Sequence, residues 1–415
     1  MAGNHHAHGF PVELLEMIFE EADLETQKAC SLVDHVWLEV ARRYLFDIIV
    51  FRSDTSFDSF LRFFAAHPHI RTHTRSVRLL GPEMSDPFRQ PHYPFIDPAT
   101  LADIVTSTPN ISSIQLKSVI LVNTPEDKKP RLASLSGPIR LTEFSMMRSP
   151  DGHDHSPVAV LELFRLFETK FIQIQLASFW APSALEGANN AGPVVPRWRV
   201  RHQGICIVGI TTTRPTPLMT LTETLVPGSL KQLHLDFRNW SHLHEMARFL
   251  QYFGESITNF TISFAYALAR YEARDHTPSD EEWSSYRFSS LRNLSKLQFN
   301  LSQALMLPFS NGRRTWTDST GIPKFLACFP RSLPLQDGVY INLRYVGDIP
   351  VNMYPGPINP RPEIENALFR FDNLKRVTLC SWYECSNAGV IGAQAFPRLY
   401  QAKKLVCMDE VKKCC

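Results

Sequence analysis

Ser229-Leu230-Lys231-Gln232-Leu233-His234-Leu235 is the stretch on which the reading of the fold turns. Its apolar side chains come at spacings of three and then two. The final alternation is that of a strand with one face buried. The same apolar-x-x-apolar-x-apolar pattern stands at Ile111–Leu116, Leu141–Met146, Phe171–Leu176, Ile257–Ile262, Leu294–Phe299 and Leu374–Leu379. Weaker copies are Val77-x-Leu79, Ile205-x-Ile207 and Tyr340-Ile341-x-Leu343. Several copies open on an Asn or Ser followed by an apolar residue: Asn110, Ser229, Ser256, Asn293 and Asn373.

Working outward from these strands, helix-like segments precede many of them. Ser56–Ala66, Asp97–Ser107, Val158–Phe167, His242–Phe253 and Arg361–Phe369 carry apolar residues at helical spacing. Asp97-Pro98 is a cap followed by a first-turn proline. Helix, loop and short strand therefore recur at intervals of roughly 27 to 44 residues, as in arrays whose units bury their apolar faces only against neighbours. The body of the chain, 51–415, resembles a degenerate leucine-rich repeat. That resemblance implies an irregular solenoid, one elongated α/β array with its strands side by side. The usual Asn or Cys ladder residue of that family is mostly missing from the pattern. The alternative α/β architecture is a doubly wound domain.

Long polar segments separate the units: Leu80–Pro98, Asn123–Pro138, Ala181–Pro196, Arg274–Tyr286 and Val346–Pro362. They are read as loops, and loops of that length commonly serve recognition.

The N-terminus differs in kind. Residues 1–9 read as a disordered tail. Phe10-Pro11-Val12-Glu13-Leu14-Leu15-Glu16-Met17-Ile18-Phe19 starts a helix, with Pro11 where a missing N–H costs nothing. Asp23 is placed to cap a second helix bearing Leu24, Ala29, Leu32 and Val33. A third runs from about Val36 to Leu45. A unit of about 40 residues cannot enclose so much apolar surface alone. The surplus packs either on the rest of the chain or on a partner.

This segment, 10–50, resembles an F-box, the module that docks on the Skp adaptor of a Skp–cullin–F-box ubiquitin ligase. The resemblance rests on Phe10-Pro11, the Leu14-Leu15 pair, Ile18, and Leu32-Val33 before Trp37. Asp34 stands where a Cys is frequent, and a charge there must face water. The resemblance implies adaptor contacts through Phe10, Pro11, Leu14, Leu15, Ile18, Leu32, Val33 and Trp37. It implies a non-catalytic substrate-recognition subunit, linked through the adaptor to a cullin, with a protein target held by the repeat domain. Candidate target contacts are aromatic and basic residues outside the apolar register: Trp180, Trp198, Arg199, Trp240, Tyr266, Trp283, Trp316 and Trp382. The competing reading is a repeat scaffold whose N-terminal helices only cap the array.

Composition bounds the remaining classes. The 415 residues are 44% hydrophobic and 20% charged, which suits a large core. A net charge of +2 gives no bulk drive toward nucleic acid, so none is expected as a partner. No apolar run reaches the ~20 residues of a membrane span, and no secretory h-region opens the chain. Eight cysteines without a framework suggest cytoplasm or nucleus. No phosphate-binding glycine loop, nucleophile elbow, zinc spacing or cofactor motif is present, and catalysis is not expected. His5, His6, His8, His67, His69 and His73 read as solvated, and Cys414-Cys415 as part of an exposed tail.

Overall fold

The computed structural model describes residues 11–82, 92–147, 155–175, 198–210, 217–237, 242–263, 278–302, 321–344, 361–381 and 388–408. The chain divides into two compact units, the first holding the described residues up to Glu168 and the second those from Thr169 onward. The expected boundary at position 51 coincides with no such division.

The first unit opens with three helices, α1 (Val12–Glu21), α2 (Leu24–Cys30) and α3 (His35–Leu45). Strand β1 (Ile48–Arg52) follows, then α4 (Asp58–Ala66), α5 (Pro68–Arg71) and β2 (Ser76–Leu80). Next come β3 (Phe95–Ile96), α6 (Pro98–Ser107), β4 (Ser113–Lys117), β5 (Ile120–Leu121), α7 (Lys129–Ala133) and β6 (Ile139–Met147). Helix α8 (Pro157–Leu166) leads into β7 (Phe167–Gln175). The second unit continues with β8 (His202–Ile210), α9 (Pro217–Thr224), β9 (Gln232–Phe237), α10 (Leu243–Phe253) and β10 (Asn259–Ser263). Then follow α11 (Asp280–Ser285), β11 (Lys296–Ser302), α12 (Gly321–Ala327), β12 (Gly338–Arg344), α13 (Pro362–Phe369) and β13 (Val377–Ser381). Helices α14 (Ala388–Ala395) and α15 (Pro397–Gln401) precede β14 (Leu405–Met408).

Twelve strands pair in parallel: β1, β2, β4 and β6 in the first unit, and β7 to β14 in the second. Within each unit their order in the sheet follows their order in the chain. No strand order reverses, so the strands of neither unit are doubly wound about a switch point. A separate small ladder joins β3 to β5. The alternating part of every apolar-x-x-apolar-x-apolar copy named from sequence falls on a strand of this series, the weak ones included, with Leu176 outside the described residues. The helices read from Ser56, Asp97, Val158, His242 and Arg361 are also present, each within two residues of its expected limits.

The core of the second unit follows from register. Leu233, Phe260, Leu297, Val339 and Val377 are neighbours across five strands, as are Leu235, Ile262, Phe299, Ile341 and Leu379. All ten are buried. Against them pack Phe288, Phe325 and Phe329, whose ring centroids lie 4.9–5.5 Å apart. Short polar bridges tie successive turns. Asn110 Nδ2 donates to Thr72 O (2.5 Å), Asn293 Nδ2 to Glu255 O (2.7 Å) and Asn373 Nδ2 to Leu333 O (3.0 Å). These are the asparagines that begin the sequence pattern. Each holds the turn about one repeat upstream.

Two segments read as loops contain helices. Ser279–Glu282 is a capping box that starts α11, with Ser279 Oγ accepting from Glu282 N and Glu282 Oε2 accepting from Ser279 N. Pro130 lies in the first turn of α7 inside the segment read as the loop Asn123–Pro138. Pro68 similarly opens a helical turn that includes His69. No described helix is long and apolar enough to cross a membrane. The expected tail, 1–9, and Cys414-Cys415 lie outside the described residues.

Candidate functional site

The N-terminal helices have a small core. Leu15 and Phe19, one turn apart on α1, pack on Val40 and Ala41 of α3, with Cys30, Val36, Trp37, Tyr44 and Leu45 at its rim. Phe19 stacks on Tyr44 and meets Trp37 edge-on, at centroid distances of 5.8 and 6.1 Å. Polar contacts lock the arrangement. Gln27 Nε2 donates to Phe19 O (2.9 Å) and Ala22 O (3.1 Å), Tyr44 OH donates to Glu16 O (3.0 Å), and Arg43 pairs with Glu16 (2.5 Å).

Both caps are aspartates. Asp23 Oδ1 accepts from Thr26 N (2.8 Å), and hydrogen bonds from the Thr26 side chain and then its backbone hold the Asp23 carboxyl below the usual carboxylate range. Asp34 Oδ1 accepts from Val36 N (2.7 Å) and Trp37 N (3.0 Å). The Asp34 charge therefore faces solvent and starts α3. It also fixes the turn in which Leu32 N donates to Ala29 O and Val33 N to Cys30 O, both at 3.1 Å.

That turn presents Leu32 and Val33 to solvent, 86% and 62% exposed. Seven of the fourteen exposed large hydrophobic residues of the described chain fall between positions 12 and 33: Val12, Leu14, Met17, Ile18, Leu24, Leu32 and Val33. Scattered single exposures are ordinary, but such density makes this segment a candidate interaction surface. Of the residues expected on it, Pro11, Leu14, Ile18, Leu32 and Val33 are exposed, and Trp37 is half-buried. Leu15 is a correction: it has no exposure, because its helical phase puts it with Phe19 inside the module. Phe10 lies outside the described residues. Met17 and Leu24 were not among the expected adaptor contacts, although the three-residue spacing places Met17 beside Leu14.

The second candidate surface is the strand face of the second unit opposite its core. Its rows run across neighbouring strands. Gln232, Asn259 and Lys296 form one row. His234, Thr261, Gln298, Tyr340 and Thr378 form the next. Asp236, Ser263, Asn300, Asn342 and Cys380 form a third. The third row is buried, and Asn342 Nδ2 donates to Asn300 Oδ1 at 2.8 Å. Cys206 Sγ lies 3.3 Å from His234 Nδ1 on the same face.

Of the expected target contacts, Trp198 is half-buried and Arg199 exposed. Trp283 is a correction: it is buried on α11, edge-on to Tyr286 at 5.9 Å, and serves the core. Trp180, Trp240, Tyr266, Trp316 and Trp382 lie outside the described residues. Burial pushes the Cys328 thiol up to about 12, so it stays protonated at neutral pH. Among the described residues no three His, Cys, Asp or Glu side chains converge as a metal ion would require. No protein-family model matches the sequence, and no curated protein is significantly similar to it.

Proposed function

We propose that this chain is a non-catalytic substrate-recognition subunit of a Skp–cullin–F-box ubiquitin ligase. In this reading α1–α3 are an F-box that docks on the Skp adaptor. The parallel strands and helices that follow form an irregular solenoid of leucine-rich-repeat type that holds a protein target. The observation that carries the proposal is the density of exposed apolar side chains from Val12 to Val33 on helices that already possess a core of their own. A terminal cap shields the first repeat with its apolar side and turns a polar side outward. Here the outward side is apolar, which favours docking over capping.

The mechanism is tethering. A target bound to the strand face or its adjoining segments is held near a ubiquitin-charged enzyme carried elsewhere in the assembly, which raises the effective concentration of its lysines.

Capture of a Skp adaptor by the full chain tests the reading. Leu14→Ser/Ile18→Ser/Leu32→Ser should weaken capture at least about 100-fold, since each buried side chain contributes ~1.5–3 kcal/mol. Its circular dichroism should match the parent chain, because none of the three lies in the small core. Undiminished capture by the triple variant, or no capture by the parent chain, would sink the proposal. Removing residues 1–50 should abolish adaptor capture and leave target binding intact.

A further inference from the structure

The strand starts of the second unit carry cations that no side-chain carboxylate offsets. Arg201 precedes β8, Lys231 precedes β9, Lys296 begins β11, Lys375-Arg376 precede β13, and Lys403 lies in the turn before β14. Parallel register sets Lys296 and Arg376 in one row on either side of Gly338, with Lys231 and Lys375 one residue earlier along their strands, level with Thr258, Ser295 and Asp337. Lys231 O accepts from Thr258 N (2.9 Å), Thr258 O from Ser295 N (2.8 Å), and Arg376 O from Val339 N (3.0 Å). At about 4.8 Å per strand, the row from β8 to β14 extends about 29 Å.

None of these six cations has an ion-pair partner among the described residues. Elsewhere the pattern differs: Lys324 pairs with Asp280 at 2.6 Å, and Lys128 with Asp97 at 3.0 Å. Among the described residues, the only carboxylate in the two positions before a strand of this unit is Asp337, which accepts from Ser295 Oγ at 2.8 Å. Other acidic residues of the unit, such as Glu223, Glu245 and Glu363, stand on helices. Cations thus outnumber carboxylates at the described strand starts of this unit.

At the middle of the row two cations are held in place. Lys296 Nζ lies 4.5 Å from the centroid of the Tyr340 ring, and Arg376 Nη2 donates to Tyr340 OH at 3.3 Å. This arrangement restricts both side chains before any partner arrives, which lowers the entropy lost on binding. Beside the row stand neutral amides and hydroxyls, Gln232, Asn259, Thr261 and Gln298, none of them buried. They offer both donors and acceptors, as a peptide main chain needs.

We propose that this row is a docking edge for an extended acidic segment of a partner protein. The carboxylates of the segment meet the unpaired cations, while its main chain meets the flanking amides. A narrow, interrupted line of cations with neutral amides beside it matches the spaced carboxylates and main-chain groups of a peptide strand, and among its described residues the unit has no excess of cations spread over a wider face to follow a phosphate backbone. The proposal deepens the target-binding part of the function proposed above by stating the chemistry of the target.

Fluorescence anisotropy with a labelled 14-residue peptide of alternating Glu and Ser, on the full chain at low salt, tests it. The parent chain should bind, and added salt should weaken binding steeply. Lys231→Gln/Lys296→Gln/Arg376→Gln should bind at least tenfold more weakly. Arg248→Gln/Arg287→Gln/Arg292→Gln, which removes as many exposed cations away from the strand starts, should bind like the parent. Lys231→Gln alone, whose side chain has no partner among the described residues, should weaken binding measurably and keeps the test decisive should the triple variant misfold. Absence of binding, equal loss in the control variant, or binding of duplex DNA or anionic vesicles without binding of the peptide would overturn the proposal. The Leu14→Ser/Ile18→Ser/Leu32→Ser variant should keep peptide binding in full. Failure of the adaptor reading and failure of this one are therefore distinguishable.

Discussion

Helices α1 and α10 are nearly equal in length and both apolar on one side, yet they use that property in opposite ways. The eleven residues of α10 bury six side chains, Leu243, Met246, Ala247, Phe249, Leu250 and Phe253. The ten residues of α1 bury two, Leu15 and Phe19, and leave Val12, Leu14, Met17 and Ile18 to solvent. The sheet explains the contrast. Helix α10 lies between two paired strands whose apolar rows need cover. Helix α1 precedes every strand, and only α2 and α3 share its module's core. An apolar helix outside the series is left with a face to offer.

The largest expected effect sets one leucine against another. Leu297 is fully buried between Phe260 and Val339 in neighbouring strands, whereas Leu32 is 86% exposed. Leu297→Ala should lower stability by ~2–5 kcal/mol, with no partner present. Leu32→Ser should change it by no more than ~0.5 kcal/mol. Urea unfolding followed by circular dichroism measures both. A Leu32→Ser effect as large as that of Leu297→Ala would show that the turn is covered within the free chain.

A pH titration should sharpen the same contrast. His242, buried at the start of α10, has its pKa lowered to about 4 by desolvation. The unfolded chain, near 6.5, takes up a proton that the folded chain refuses. The stabilising contribution is therefore complete above about 6.5 and is lost as pH falls toward 4, by something on the order of 1–3 kcal/mol. In His242→Gln the unfolding of the second unit should lose this acid-dependent step. A step of unchanged size would exclude His242 as its source.

The smallest effect concerns the N-terminal module. Asp34→Ala removes the acceptor for Val36 N and Trp37 N and should cost ~0.5–2 kcal/mol. Asp34→Asn should restore most of it. If adaptor capture falls with Asp34→Ala but not with Asp34→Asn, the cap acts by setting the Leu32-Val33 turn and not by its charge.

Much of the fold was legible because strands and helices write their periods locally. The apolar-x-x-apolar-x-apolar copies located ten strands, and Asp97-Pro98 located the start of a helix. β1, Ile48–Arg52, was missed: it straddles the boundary drawn at 50 and 51, and its Ile48 and Val50 are exposed, so it lacks the apolar–polar alternation of the others. Helix α11 was missed because its acidic run reads as a loop, although Ser279-x-x-Glu282 carries a capping-box signature. The candidate surface was only half legible. Leu14 and Leu15 are adjacent and chemically identical, and the 100° between successive helical residues sends one outward and the other into the core. Trp283 was chosen for its chemistry, but chemistry alone does not say whether an aromatic ring anchors a partner or fills an interior.

The sequence by itself determined the succession of helices and strands, the caps at Asp23 and Asp97, and the surplus of apolar residues near the N-terminus. These depend on neighbours a few positions away. Tertiary structure alone decided which apolar side chains remain outside, and that Lys231, Lys296 and Arg376 stand on one edge. Those three are 65 and 80 residues apart in the chain. Only the parallel hydrogen-bond register, which sets each strand start beside the next, brings their charges together.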